Sequence, residues 1–158
     1  MKKIILLASC FVFFSQVQAQ TKVTKSNVVG KWTISAVEMT GLFYYSIDKD
    51  SLAIGEMMKS QIPDQSQLAT ITTTMKSQMA MFATMGFVFN ADGTAKMGAG
   101  SAQEEEATYT VDEQNSLITT IDKNKKEDIL KADFQEDKLR ITVKQPQGEI
   151  LMLLKRAK

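Results

Sequence analysis

The chain has 158 residues, 19 basic and 18 acidic side chains for a net charge of +1, one cysteine and no histidine. That length suits one domain, and the charge balance argues against a nucleic-acid-binding surface or a polybasic membrane patch. The missing histidine removes the usual general base, the Ser-His pair and the commonest transition-metal ligand at once.

The first residues read as a secretory leader. Lys2 and Lys3 form a positive n-region, Ile4 to Phe14 an apolar run, and Val17-Gln18-Ala19 sets short side chains before a cleavage point at Gln20. Leu7-Ala8-Ser9-Cys10 also matches a lipobox, but only six residues separate the lysines from Cys10, fewer than a hydrophobic region needs. The expectation is therefore a signal peptide over 1–19 and an exported domain over 20–158, periplasmic or extracellular. An outer-membrane lipoprotein anchored through Cys10 is the alternative. Cleavage would also remove the only cysteine, leaving neither disulfide nor thiol nucleophile, with 17 basic and 18 acidic residues.

Residues 20–29 read as a polar arm with isolated valines. Lys31 to Met39 alternates, with Trp32, Ile34 and Ala36 on one face, as a half-buried strand does. Leu42 to Ile47 is a second β-prone run. A helical insert is expected over about 51–84, broken at Pro63. Its first piece runs from Ser51 to Ser60 with Asp50 or Ser51 as N-cap. Its second, Gln65 to Ala83, carries Leu68, Ile71, Met75, Met79 and Phe82 at steps of three and four. From Gly86 onward, short strands recur between turn signals such as Asn90-Ala91-Asp92-Gly93, Asp122 to Lys126 and Gln145-Pro146-Gln147-Gly148. The last strand, Glu149 to Lys155, is apolar on both faces and reads as covered on both, with the helix as the natural cover. The fold class is mostly β: an up-and-down antiparallel barrel of about eight strands with a helix inserted between early strands.

Gly30-Lys31-Trp32 opening the first strand, followed by this strand rhythm, resembles the lipocalin-like branch of the calycins. The closer likeness is to secreted bacterial members with an early helical insert, since the usual lipocalin helix follows the last strand. The resemblance implies a tryptophan packed across the closed end with a late arginine over it. Gly30 and Trp32 match that pattern. Arg140 and Arg156 are the only arginines, and Arg156 sits at the right end of the chain.

Candidate ligand-binding residues are Tyr44 and Tyr45 near a barrel mouth, Met75 and Met79 on the helix, and Phe87 and Phe89 on a strand. The methionines read either as packing of helix on sheet or as an adaptable ligand-moulding face. A Cu(I) site is disfavoured, because Met79 and Met81 lie two residues apart and so point away from each other on a helix. Tyr109 reads as core with its hydroxyl reaching rim water. Glu104-Glu105-Glu106 reads as a solvated turn, lacking the spaced ligands of a calcium loop. No catalytic residue, metal or cofactor is expected. Two functions stand side by side: non-enzymatic binding of a small apolar ligand, and an envelope structural or protein-interaction module whose barrel is filled by its own helix.

Overall fold

The computed structural model describes residues 21–62, 64–146 and 148–157. The leader and Cys10 lie outside the described residues. Ten strands form one antiparallel sheet: β1 (Gly30–Met39), β2 (Phe43–Ser46), β3 (Ser51–Ile54), β4 (Gly86–Phe89), β5 (Thr94–Ala99), β6 (Glu105–Asp112), β7 (Leu117–Asp122), β8 (Glu127–Gln135), β9 (Lys138–Gln145) and β10 (Gly148–Arg156). Eight of them, β1 and β4 to β10, close into a barrel through the β1–β10 pairing. Closure removes the unpaired edges an open sheet would leave.

β1 serves two neighbours on one edge. Gly30 to Thr33 pair with β4, and Ala36 to Met39 pair with β2. The change falls at Ser35, which the β1–β10 ladder skips between Ile34 and Ala36. A bulge there bends the strand and leaves one residue's polar groups outside the ladder. Those groups are reused: the buried Ser35 hydroxyl donates to Leu153 O at 2.9 Å, and Ser35 O accepts the Ile47 amide at 2.9 Å. The β2–β3 hairpin thereby stands beside the barrel wall.

The closed end is built on Trp32. The residues expected as a polar arm instead wind one helical turn, α1 (Lys25–Val28), held by a capping box in which Thr24 and Asn27 bond each other's backbone. This turn buries Val23 and Val28 completely and presents Val28 O to the Trp32 indole N–H at 2.8 Å. Arg156 lies over the indole ring at 4.5 Å, and its guanidinium donates to Val29 O and Asn27 O at 3.1 and 2.9 Å. Gly30 makes room for it. With φ +142°, any Cβ there would sit 2.5 Å from Arg156 Nη1.

Two expectations for the insert change. Ser51 to Ile54 are strand β3, paired residue for residue with β2, and only Glu56–Lys59 (α2) follow as a single turn starting from Gly55. One helical turn is not self-sustaining, whereas four residues beside β2 gain a ladder. The second piece is a helix, α3 (Gln65–Met79), capped by Asp64 accepting the Ser66 amide at 2.9 Å, then a 3₁₀ turn, Ala80–Thr84. Leu68, Ile71, Met75 and Met79 form its half-buried face, and none of them joins the core. The barrel is therefore not filled by α3; its closed half is filled by strand side chains such as Phe89, Ile118, Leu139, Ile141 and Leu154. Phe82 and Met85, at the helix exit, do pack on that core.

α3 packs along β3 and is tied to the β2–β3 turn by Asp50, whose carboxylate accepts Lys76 Nζ at 2.7 Å and the Tyr45 hydroxyl at 3.1 Å. Its main strand contact is β3 rather than β10. Ile150, Met152 and Leu154 face inward, while Leu151 and Leu153 are half-buried on the outside between Thr142, Arg140 and the outward residues of β1. Tyr109 is buried as expected, but its hydroxyl donates to Asn90 O at 2.9 Å and so ties β6 to the β4–β5 turn.

Replacing Trp32 with alanine should destabilise the fold by about 3–5 kcal/mol, the scale of a large aromatic deletion, read as the shift of a urea unfolding midpoint. An unchanged midpoint would contradict the closed-end assignment. Because α3 has no buried side chain among its described residues, its amides should exchange with solvent faster than those of β1 and β10. Asp50→Asn should speed exchange in α3 alone.

Candidate functional site

Alternation along paired strands decides what lines the open end. The cross-strand pairs Met97–Glu105, Ala107–Asp122 and Thr120–Asp128 place those six side chains on the inner face. Met152, paired with Ile141, and Val143, paired with Ile150, also point inward. Together with Met85, Phe87 and Leu130 they enclose a cavity of about 320 Å³. Its floor and walls are apolar and rich in methionine. Its mouth carries Gln103, Glu105, Asp122, Lys126, Asp128 and Gln145.

Larger hollows of about 420, 480 and 350 Å³ lie along β5 to β7, beside β4, and between Glu104–Glu106 and Asp122–Asn124. Outward residues such as Thr94, Thr108, Ile121 and Lys31 border the first two of them. The interior cavity is the one on which inward side chains of β4 to β10 converge.

The mouth is electrostatically ordered. Asp122 closes the β7–β8 turn, its Oδ1 accepting the amides of Asn124 and Lys126, both at 2.8 Å. These bonds, that from Lys126 foremost, hold its carboxyl below the usual aspartate range against the opposing effect of desolvation. Lys126 Nζ lies 3.0 Å from Asp128 Oδ2, and that hydrogen bond is the main reason its ammonium is held above the ordinary lysine value. Thr120, only 4% exposed, contributes the one hydroxyl in the wall. Among the described residues no three of His, Cys, Asp and Glu converge to hold a metal ion.

Of the residues singled out from sequence, Phe87 lines the cavity. Phe89 lies deeper, 1% exposed, stacked 6.4 Å from Phe87 and edge-on to Tyr109 at 5.0 Å. Tyr45 is buried with its hydroxyl on Asp50, and Tyr44 faces out from β2 at 43% exposure. Met75 and Met79 sit half-buried on α3. None of these last four borders the cavity. Gly30, Trp32 and Arg156 form the opposite, closed end. Sequence reading missed Met97, Thr120 and Met152. Counting inward positions outward from Ala95 and Leu154 would have found Met97 and Met152.

No family model matches this chain, no curated protein matches it, and no solved structure matches it. The class is set by geometry: a closed eight-stranded antiparallel β-barrel, compatible with a calycin-like fold, with a helix between its early and later strands.

A folded-state pKa below the unfolded value makes the Asp122 charge stabilising above the ordinary aspartate range, near 3.9. That contribution is lost as pH falls through the lowered value. Asp122→Asn should therefore melt below wild type at neutral pH, with the gap closing in strong acid. A gap independent of pH would assign the effect to turn geometry instead of charge.

Proposed function

We propose that this is an exported, lipocalin-like binding protein that holds a small apolar ligand, without chemistry, in the open end of its barrel. The carrying observation is the 320 Å³ cavity bounded by Met85, Phe87, Met97, Leu130, Val143 and Met152 above a solid closed end. That volume is at the small end of ligand sites, and flexible thioethers let such a wall adapt to its occupant. Export rests on the leader features at Lys2 to Ala19. The non-enzymatic part rests on the absence of histidine from the chain and on a wall in which Thr120 carries the only hydroxyl.

Native mass spectrometry of protein purified from its own host tests this reading against Ala107→Trp, which places an indole in the cavity. An apolar mass that leaves wild type on denaturation and is missing from an equally stable Ala107→Trp would support it. Bare protein in both samples, or the same adduct in both, would contradict it.

A further inference from the structure

The geometry points to an amine carrying an apolar body, with at least one N–H on its charged nitrogen, as the ligand class of this cavity; the inference rests on the cavity being a binding site. Three features converge on it. Thr120 is a hydroxyl 4% exposed, and its one hydrogen bond among the described residues is a 3.4 Å donation to Asp128 O. Nothing among those residues donates to it, so its oxygen is free to accept a further bond. A hydroxyl that donates can also accept, and a ligand N–H would supply that second bond.

The mouth above Thr120 carries three acids, Glu105, Asp122 and Asp128, brought to the inner face by three separate cross-strand pairs. Its single cation, Lys126, is already paired with Asp128 at 3.0 Å. Low-dielectric walls focus such a field into the opening. The apolar lining is Phe87, Met97, Leu130 and Met152, which bury a short chain or a single ring. An ammonium at the height of Thr120 would donate to its Oγ1 beneath the rim carboxylates while its apolar body fills the floor. A carboxylate ligand would meet a net negative rim, three acids against one cation that is already paired, a built-in discrimination against fatty acids. A quaternary ammonium would satisfy the rim but leave Thr120 without its donor.

The test is calorimetric titration of the protein with octylamine, octyltrimethylammonium, 1-octanol and octanoate at neutral pH. Octylamine should bind tightest, exceeding 1-octanol by about tenfold or more, the scale of one charge-assisted hydrogen bond, and octanoate should bind weakest. Thr120→Val should remove the preference for octylamine over the quaternary ion. Glu105→Gln, on an exposed residue whose change leaves packing intact, should weaken both cations and leave 1-octanol unchanged. Equal affinity for octylamine and 1-octanol, or tightest binding by octanoate, would overturn the amine assignment while the cavity reading stands. Failure of all four to bind would overturn both.

Discussion

β1 has to satisfy three strands with two edges, and the rest of the molecule is arranged around how it does so. One edge runs along β10 and closes the barrel, while the other is divided at Ser35 between β4 and β2. At the undivided end, Trp32 stands between Phe87 and Arg156 in register, wedged against Phe134 at 6.0 Å. The guanidinium stacked on its face contributes about 0.5–2 kcal/mol. Its bonds to two carbonyls of the entering chain add a mechanical consequence, since they pin α1 under the barrel. Gly86 belongs to the same device. A Cβ there would lie 2.6 Å from Trp32 O, so β4 can approach β1 this closely only without a side chain.

A closed end packed this tightly leaves free volume only at the other end. There the inward positions change character, from Ile118, Leu139 and Leu154 to Met97, Ala107 and Met152, and then to Glu105, Asp122 and Asp128. Small and flexible side chains do not fill the widening barrel, and the acids stay in contact with water. The β2–β3 hairpin and α3 stand to one side of this mouth. The Asp50–Lys76 ion pair that ties α3 to this hairpin is largely solvent-exposed, which makes it weak and salt-sensitive, whereas β2 is held by its ladder on β1 and by buried Tyr45. The molecule thus divides into a rigid floor, an adaptable chamber and a loosely held helix.

The barrel strands were legible because each carries its own alternation and ends in turn chemistry. Asp92, Asp112 and Asp122 each accept backbone amides two or more residues on, and each follows or ends a strand. β3 was not legible, because Ser51 to Ile54 is compatible with helix until β2 is alongside to pair with it. α1 was hidden for a related reason: Val23 and Val28 in a polar run have no period, and only the Trp32 indole and the Arg156 guanidinium make that turn worth forming. Phe87 was recognisable as a cavity residue from its strand, whereas Met75 and Met79 drew attention by their helical stripe, which packs a flank. The cavity itself is a difference between filled and unfilled volume, a property of the closed sheet that no local pattern carries. The same holds for Thr120, an ordinary strand threonine until eight strands surround it.

Methionines line the chamber and also lie on α2 and α3, which makes their ε-methyl groups the most direct probes of where a ligand sits. Methyl-labelled protein titrated with octylamine and, separately, with 1-octanol should show shifts at Met85, Met97 and Met152. Met57, Met75 and Met79 should stay fixed. Movement confined to the helical set, or to none, would place binding outside the barrel and contradict the account.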